Sequence, residues 1–263
     1  MTSELKYFIY KIAKNYIKYY EGFSYNFLKN GEKKTLENLS KYNFKTIFDV
    51  GANTGDWTGI AQKSFPKCSF HLFELSKETF LNLNKRFHNK KNILLRNVAL
   101  SNSIGNLEYQ DFGENSGLNS LLKNANYHQE DFQLKTTTST TGDEYCLVNN
   151  INHIDFLKID VEGAENIVLN GFSGMIKKQK IDIIQFEYGY THGDSHFLMK
   201  DFYNLFIEND YSVGPIKKNG VIFMDFDYRL NNFQSGPNFI AVSNKKKNII
   251  RSLEGPKIKG YPK

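Results

Sequence analysis

One short stretch limits the fold more than any other part of the chain: an apolar strand runs into a glycine turn and then into a helical pattern. The strand is predicted over 46–50, and the turn lies within Asp-Val-Gly-Ala-Asn-Thr-Gly at 49–55. Gly51 permits a tight turn at positive φ, and Gly55 lets the helix pack closely on the strand. The unpaired N–H groups at the start of the helix predict a small anion site beside Asp49.

The turn favours a nucleotide-like ligand other than a dinucleotide. Asn53 stands where the fingerprint G-x-G-x-x-G has its middle glycine, the point of closest approach to a pyrophosphate. A second predicted strand, 68–73, ends at Glu74, where the ribose hydroxyls of a ligand lying over the turn would need an acceptor. S-adenosylmethionine fits, because its carboxylate suits the helix N-terminus, its ammonium group suits Asp49 through a direct or water-bridged contact, and its ribose suits Glu74. An oxidoreductase that uses NAD(P) is the disfavoured alternative.

The order of predicted elements indicates an α/β domain. Strands at 46–50, 68–73 and 92–98 alternate with helices at about 55–64 and 77–87, which is typical of a parallel sheet covered on both faces. The segment 105–140 breaks this alternation, and we interpret it as a β insertion or flap beside the ligand pocket, with a plain surface meander as an equal alternative. Further strands are predicted at 211–216 and 220–226, joined by an Asn219-Gly220 turn, and at 238–242.

A second concentration of polar residues follows the predicted strand 156–159. Asp160 comes at its C-terminal end, where open α/β sheets bind ligands, and Glu187 follows the strand 181–186. Lys158 is close to both in this arrangement. Like charges brought together usually require a proton, a cation or a substrate. An ordinary ion pair of Lys158 with Asp160 or Glu165 is the structural alternative.

Five blocks of the sequence together resemble the FkbM-type S-adenosylmethionine-dependent methyltransferases. They are Asp-Val-Gly-Ala-Asn-Thr-Gly at 49–55, Phe-Glu at 73–74, Asn-Val-Ala-Leu-Ser at 97–101, Leu-Lys-Ile-Asp-Val-Glu-Gly-Ala-Glu at 157–165 and Phe-Glu at 186–187. The resemblance covers about 44–242 and departs from the family at Thr141-Gly142-Asp143, where members often have a Leu-Asp pair. It implies a class I, Rossmann-like, doubly wound α/β sheet of seven strands with the last antiparallel. It also implies methyl transfer to a hydroxyl oxygen of a sugar, glycolipid, polysaccharide or related metabolite.

The resemblance assigns roles to individual residues. The expected contacts with S-adenosylmethionine are Asp49, Gly51, Ala52, Asn53 and Gly55 for the methionine portion, Glu74 with the neighbouring Leu75 for the ribose, and Asn97 and Ala99 for the adenine. Asp160 is the first candidate for the group that orients the acceptor hydroxyl or takes its proton. The other candidate catalytic residues are Lys158, Glu187 and His192.

The sequence does not favour a metal site. His192-Gly193-Asp194-Ser195-His196 places two imidazoles and a carboxylate close together, but Asp194 or Ser195 is more simply the N-cap of a helix at 197–209. Asp160 and Glu187 are the alternative pair of ligands for a divalent cation such as magnesium. We therefore expect no metal, and loss of activity on chelation would reverse that expectation.

The two ends of the chain are predicted to lie outside the methyltransferase domain at 46–244. In the N-terminal helical extension 1–45, apolar residues between Leu5 and Tyr20 recur at helical spacing, with lysines on the other faces. We expect this helix to pack on the catalytic domain or on another subunit, with a membrane-surface helix as the alternative. Residues 245–263 are rich in lysine and are predicted to form a loosely held basic tail.

The net charge of +6 comes from scattered lysine pairs and not from one stripe. Such scatter favours a solvated surface, so the expected partner is a small-molecule or glycan acceptor and not a nucleic acid. A non-catalytic basic binding module on the same fold is an alternative, which the acids at 49, 74 and 160 oppose. The sequence contains no apolar run of transmembrane length and no signal-peptide pattern, so we expect a cytoplasmic protein.

Overall fold

A computed structural model of the chain describes residues 1–122, 132–233, 237–257 and 259. Within these residues the strands are β1 (Thr46–Val50), β2 (Ser69–Phe73), β3 (Ile93–Arg96), β4 (Ala99–Leu100), β5 (Gly105–Asp111), β6 (Gln133–Thr140), β7 (Ile154–Ile159), β8 (Ile181–Glu187), β9 (Tyr211–Lys217), β10 (Gly220–Val221) and β11 (Asn238–Ser243). The α-helices are α1 (Ser3–Glu21), α2 (Glu32–Leu39), α3 (Asp56–Ser64), α4 (Lys77–Phe87), α5 (Gly142–Val148), α6 (Glu165–Gly171), α7 (Ser173–Lys177), α8 (His192–Ser195), α9 (Met199–Glu208) and α10 (Lys247–Leu253).

The main sheet has the strand order β10-β9-β11-β8-β7-β1-β2-β3. The ladders that join β3, β2, β1, β7 and β8 are parallel, whereas β11 runs antiparallel to both β8 and β9. This confirms the predicted seven-stranded sheet with an antiparallel last strand, to which the two-residue β10 is added at the edge. The strand order reverses between β1 and β7, so a crevice opens at their C-terminal ends.

Side chains that alternate along each central strand build two apolar layers, one on each face of the sheet. Phe48 of β1 and Leu157 of β7 belong to one buried cluster, whereas Ile47 and Phe156 belong to the other. Each of these four side chains is 0% exposed, and burial of one such side chain contributes about 1.5–3 kcal/mol. The two layers hold the strands rigidly and so fix the positions of the residues at the strand ends.

The segment predicted as a β insertion forms a separate three-stranded sheet of order β4-β6-β5. Strands β5 and β6 pair antiparallel from Gly105↔Ser139 to Asp111↔Gln133, and β4 joins β6 in parallel. The chain that follows β5 folds back against this strand, because Ser120 exchanges backbone hydrogen bonds with Gln110 at 2.9 and 3.2 Å. Residues 123–131 of the predicted insertion lie outside the described part of the chain.

The hairpin at 211–226 is shorter than predicted. Gly220 pairs with Lys217 across the predicted turn, but the second strand ends at Val221 instead of Phe226. The amide of Ile222 still donates to the carbonyl of Pro215 at 3.2 Å, although proline has no N–H to return a bond. The regular ladder therefore stops at this point.

The helix predicted at 197–209 begins two residues later, as α9, and its cap is not the predicted one. A separate four-residue helix, α8, occupies 192–195, and His196 follows it in the left-handed region at φ 53°. The backbone N–H of Leu198 donates to Asp201 Oδ2 at 2.8 Å, so Asp201 caps α9. The prediction that Asp194 or Ser195 caps this helix is wrong, because the turn at His196 separates them from it.

The C-terminal segment is more ordered than the expected loose tail. Residues 247–253 form α10, in which Ile249 and Leu253 are buried at 3% and 1% exposure. Both belong to the same apolar layer as Leu36 of α2. The prediction of a loose tail followed from the lysines at 245–247. The helix is instead held by Ile249 and Leu253, which are spaced four residues apart and lie on one face. Residues 258 and 260–263 of the predicted tail lie outside the described residues.

Among the residues that the structure describes, the N-terminal helix buries none of its side chains against the catalytic domain, and packing on another subunit stays a prediction. Every residue from Ser3 to Tyr20 is exposed. Gly22 ends the helix in the left-handed region at φ 68°. In the described part of the chain, no helix has both the length and the apolar character required to cross a membrane.

Candidate active site

A pocket opens at the C-terminal ends of β1, β2 and β7, where the strand order reverses. Its lining residues come from five places: the end of β1 with the turn after it, the end of β2, the segment that contains β4, a loop of the insertion and the turn after β7. They are Val50, Gly51, Asn53, Phe73, Glu74, Leu75, Val98, Ala99, Leu100, Ser116, Gly117, Asn119, Leu121, Asp160, Val161 and Glu162. Six of the predicted site residues, Gly51, Asn53, Glu74, Leu75, Ala99 and Asp160, are therefore brought together here.

The floor of the pocket depends on a close approach between two backbone segments. Gly51 has φ 74°, and a Cβ atom at this position would lie 1.9 Å from the carbonyl oxygen of Asp160. The backbone N–H groups of Gly51 and Ala52 both donate to the carbonyl of Phe73 at 3.0 Å, which fixes the turn against β2. Only glycine fits here, so this turn is tied to the residue that follows β7.

Gly55 has a packing role and does not line the pocket. It caps α3 at φ 81°, and a Cβ atom there would lie 2.3 Å from the ring of Phe87 and 2.8 Å from Leu83. Both contacts belong to α4. This position therefore sets the distance between two helices, and the predicted contact with the methionine portion is not supported by its location.

Glu74 is buried at the end of β2 and is held by two backbone amides. Its Oε2 accepts from the N–H of Asn53 at 2.9 Å, and its Oε1 accepts from the N–H of Ser76 at 2.9 Å. Burial raises the pKa of Glu74 to about 7, against the opposing effect of these two amides. Each oxygen keeps a second lone pair for a hydroxyl donor in the pocket.

Asn97 lies behind the pocket wall and supports it. Its Nδ2 donates to the carbonyl of Glu74 at 2.8 Å and to the carbonyl of Leu75 at 3.2 Å. Ala99 and Leu100 start β4 and face the pocket with Val98, which gives this side an apolar surface. On the side predicted to contact the adenine, Val98, Ala99 and Leu100 thus form an apolar surface. The side-chain amide of Asn97 ties this segment to the backbone at the end of β2.

A buried lysine joins the two acidic strand ends. Lys158 Nζ lies 3.2 Å from Asp49 Oδ1 and 3.2 Å from Asp160 Oδ2. Although burial favours the neutral amine, the charges of Asp160, Asp49 and Glu32 raise the pKa of Lys158 above its usual range. Lys158 therefore remains a cation, which excludes it as the general base and makes it the partner that holds Asp160.

Asp49 lies beneath the pocket and not in its lining. Its carboxylate is 0% exposed, and Oδ2 accepts from Thr58 Oγ1 at 2.6 Å while Oδ1 contacts Lys158. This placement does not fit the predicted direct contact with a ligand ammonium group. The carboxylate points towards α3, on the same face of β1 as Ile47, as alternation along the strand requires.

Three carboxyl groups meet at the mouth of the pocket. One oxygen from each of Asp160, Glu162 and Glu187 lies within 4.8 Å of the others. Burial and the charge of Asp160 hold the pKa of Glu187 well above its usual range, and Glu187 is hydrogen-bonded to Asp160. Burial alone would raise the pKa of Asp160, but Lys158 and the hydrogen bond from Glu187 outweigh it and lower that pKa. The pair thus consists of a carboxylate at 160 and a carboxylic acid at 187.

His192 is buried away from the pocket. Its Nδ1 accepts from the backbone N–H of Gly189 at 3.1 Å, and its Nε2 lies 2.9 Å from Glu165 Oε2. Glu165 Oε1 in turn accepts from the N–H of Val161 at 2.8 Å. His192 therefore braces the turn that follows Asp160, and its exposure of 0% does not suit the predicted role of alternate base.

The raised pKa values make the stability of the fold depend on pH. Burial raises the pKa of Glu162 to about 8, with the charges of Asp160 and Glu165 adding to it, whereas the unfolded value is 4.5. Between these values the folded protein holds a proton that the unfolded chain releases, so the free energy of unfolding falls as pH rises. We expect Glu162→Gln to reduce this fall by about 1–3 kcal/mol between about pH 5 and pH 8.

Urea denaturation at the two pH values measures this effect. Glu208→Gln is the matched control, because Glu208 is exposed on α9 and far from the three carboxyl groups. The control should keep the wild-type pH dependence. An equal pH dependence in Glu162→Gln and in the wild type would contradict the assignment of a retained proton to Glu162.

Several functional contacts are missed by the sequence reasoning. Ser116, Gly117, Asn119 and Leu121 form one wall of the pocket, and Asn53 Nδ2 donates to the carbonyl of Ser116 at 3.2 Å. Thr58 is the partner of Asp49, which the spacing of nine residues across a strand and a helical turn could have indicated. Glu32 is buried beneath Lys158 and accepts from Gln185 Nε2 at 2.6 Å, a contact that no local pattern announces.

The sheet order, the antiparallel β11 and a glycine turn over the ends of β1 and β2 define a class I, Rossmann-like methyltransferase fold. The family described as "Methyltransferase FkbM domain" matches residues 49–213. The chain therefore belongs to the FkbM methyltransferase family.

The chain is distantly similar to several known proteins. A curated protein named "Methyltransferase 1" from Beauveria bassiana (strain ARSEF 2860) is 25% identical over 142 residues, which are 48% of this chain and 57% of that protein. A solved structure of methyltransferase FkbM from Methylobacillus flagellatus KT is 14% identical with a TM-score of 0.46, and the match covers 76% of this chain and 43% of that one. Fibrillarin from Aeropyrum pernix, solved with natively bound S-adenosyl-L-methionine, is 11% identical with a TM-score of 0.38, over 80% of this chain and 73% of that one.

Proposed function

We propose that the protein is an S-adenosylmethionine-dependent methyltransferase that methylates a hydroxyl oxygen of a sugar, a glycolipid or polysaccharide, or a related metabolite. The observation that carries the proposal is that Gly51, Glu74 and Asp160 line one pocket at the strand ends. This chemistry needs three features. Gly51 provides a turn that has no room for a Cβ atom, Glu74 provides an acceptor for ribose hydroxyls, and Asp160 provides an ionised carboxylate at the mouth of the pocket. Membership of the FkbM family supports the same reading.

The pocket fits the donor by the chemistry of its lining. The Glu74 oxygens suit the ribose hydroxyls, and the apolar surface of Val98, Ala99 and Leu100 suits the adenine ring. Asn53 occupies the turn at φ 47°, where its own Oδ1 accepts from the N–H of Thr54 at 2.7 Å. This side chain takes the space that a pyrophosphate would need, which opposes NAD(P) and favours a donor with a small carboxylate.

The chain's own residues have two tasks in the reaction, positioning and proton acceptance. When bound, the donor supplies a methyl carbon activated by a positively charged sulfur. Asp160, held ionised by Lys158, orients the acceptor hydroxyl and takes its proton as the new C–O bond forms and the C–S bond breaks. Glu187 stays protonated and neutral, and it donates a hydrogen bond to the carboxylate of Asp160. Positioning of the two reactants supplies much of the rate.

A divalent metal is not favoured in this proposal. Asp160, Glu162 and Glu187 offer three oxygen ligands, but Lys158 Nζ already lies 3.2 Å from Asp160 Oδ2 and neutralises it. The retained proton on Glu187 lowers the charge that a cation would require. Activity that persists in EDTA is the expected result, and loss of activity restored by magnesium would replace this part of the proposal.

Isothermal titration calorimetry with S-adenosylmethionine, S-adenosylhomocysteine and NADH tests the donor site. We expect the two sulfur ligands to bind and NADH not to bind. Binding of NADH alone would favour the oxidoreductase reading instead. Incubation with methyl-labelled donor and a panel of saccharides, followed by mass spectrometry, then identifies the acceptor. A protein that binds the donor but labels only amines or nucleic acids would overturn the choice of a hydroxyl acceptor.

Glu74→Gln is expected to weaken binding of S-adenosylmethionine by about ten- to a hundredfold. The substitution removes a charged acceptor, and a hydrogen bond to such a group contributes about 1.5–3 kcal/mol. Glu78→Gln is the matched control, because it makes the same change on the exposed face of the helix that follows and leaves the pocket intact. Calorimetry measures both dissociation constants, and equal values would remove Glu74 from the ribose site.

A further inference from the structure

The exposed N-terminal helix is the part of the structure that the proposed function leaves without a role. At 3.6 residues per turn, the side chains of Leu5, Phe8, Ile9, Ile12 and Tyr16 fall on one side of α1. Ile9, Ile12 and Tyr16 are 47%, 53% and 63% exposed. An amphipathic helix with its whole apolar side in water would be unfavourable unless another surface covers that side.

The opposite side of α1 is basic. Lys11, Lys14 and Lys18 fall together there, and the ammonium groups of Lys11 and Lys14 lie over the rings of Tyr7 and Tyr10 at 4.5 and 5.8 Å. This side therefore presents a row of lysines, two of which make cation–π contacts with tyrosine rings. A helix with lysines on one side and apolar and aromatic residues on the other has the form of helices that lie in the interface of a bilayer.

Further lysines surround the foot of the helix. Tyr20 Oη donates to the carbonyl of Lys259 at 2.7 Å, so the C-terminal segment carries Lys257 and Lys259 to this point. Lys218 is exposed beside Gly22, where its backbone N lies 3.9 Å from the position of a Cβ atom on that glycine. The foot of α1 thus adds positive charge to that of the helix itself.

We propose that α1 docks on an anionic lipid bilayer, with its apolar side in the interface and its lysines among the headgroups. The charge selects this occupant over a second copy of the chain, because a second copy would bring the same lysines at the foot of its own helix. The apolar side also extends from Phe8 through Ile12 and Ile9 to Ile17, over about half of the helix circumference, with Lys6 beside Ile17 near its edge. That is wider than the narrow seam of a helix pair. Tyrosines with an apolar ring and a polar tip suit the same interface.

The proposal is independent of the methyl donor and is tested on the full chain without it. Vesicles of phosphatidylcholine alone, and of phosphatidylcholine mixed with phosphatidylglycerol, are sedimented with the protein. We expect the protein to sediment with the anionic vesicles, with an affinity that falls as salt rises. Replacing Lys11, Lys14 and Lys18 together by Gln should weaken this binding by about a hundredfold, since each basic residue near such a surface contributes about fivefold.

The double variant I9D/I12D should lose binding to the anionic vesicles. Its matched control is I104D/I207D, which makes the same substitution at two isoleucines that are 66% and 54% exposed elsewhere on the domain. Thermal unfolding should show that both variants fold, because none of the four side chains is buried. Wild-type protein that stays in the supernatant, or binding that I9D/I12D leaves unchanged, would overturn the proposal. A concentration-dependent dimer in analytical ultracentrifugation that I9D/I12D abolishes, in a protein that ignores vesicles, would assign α1 to self-association instead.

Discussion

Replacing Gly51 by alanine is expected to abolish measurable binding of S-adenosylmethionine and to lower the free energy of unfolding by about 3 kcal/mol or more. Two effects add at this position. Alanine at φ 74° carries a conformational penalty of about 1–2 kcal/mol, and its Cβ atom would lie 1.9 Å from the carbonyl oxygen of Asp160. Relief of that overlap requires the turn to move away from β7, and the pocket floor moves with it. Calorimetry and urea denaturation measure the two consequences.

Gly113→Ala separates the overlap from the conformational penalty. Gly113 has φ 106°, so alanine is strained there too, but among the described residues no atom other than those of its chain neighbours lies within 4 Å of its Cβ position. This variant should lose only about 1–2 kcal/mol of stability and keep its affinity for the donor. If the two variants proved equal in stability and in binding, the close contact between the turn and Asp160 would not be needed for the site.

Asp160→Asn is expected to reduce the turnover number by about 100- to 10,000-fold while the dissociation constant of the donor changes by no more than a few fold. Asparagine keeps the shape of the side chain but cannot accept the proton of the acceptor hydroxyl. The donor contacts assigned to Glu74 and to the glycine turn do not involve this carboxylate. Release of S-adenosylhomocysteine in the presence of the acceptor measures turnover, and calorimetry measures binding.

Glu162→Gln is the matched control for that experiment. Glu162 also lines the pocket, and the substitution again replaces a carboxyl group by an amide. Because its raised pKa of about 8 leaves Glu162 protonated near neutral pH, the control should retain turnover. Asp160→Asn with wild-type turnover would exclude Asp160 as the base. An equal loss in both variants would mean that the cluster as a whole, and not one carboxylate, serves the reaction.

The sequence predicts the central strands β1, β2, β7 and β8 and the residues that follow them well, because both depend on local patterns. The turn at Gly51, the acid at Glu74 and the acid at Asp160 each follow an apolar run, and parallel strands place such residues at one edge. The direction in which each side chain points also follows from alternation. Applied to Asp49, that rule puts the carboxylate on the side of Ile47 and α3, below the pocket. The prediction of a direct ligand contact did not use this rule.

Other parts of the site depend on contacts between distant segments and leave no local pattern. Glu32 reaches Gln185 across 153 positions of sequence, and it lies near Lys158 only because α2 packs under the sheet. The wall at 116–121 is positioned by the pairing of Ser120 with Gln110 and by the Ser120 hydroxyl, which donates to the carbonyl of Glu162 at 3.0 Å. Turn and loop residues of this kind carry no periodicity from which a position in the fold could be predicted.

The wall formed by 116–121 follows β5 of the small sheet and is paired with it through Ser120 and Gln110, whereas the turn at Gly51 and the acid at Glu74 follow strands of the large sheet. The pocket is thus assembled from two architectural units with separate hydrogen-bond ladders. Under the proposed function, we therefore expect substitutions at 116–121 to change which acceptor fits next to Asp160. Exchange of this segment between relatives is a direct experimental route to a new acceptor preference.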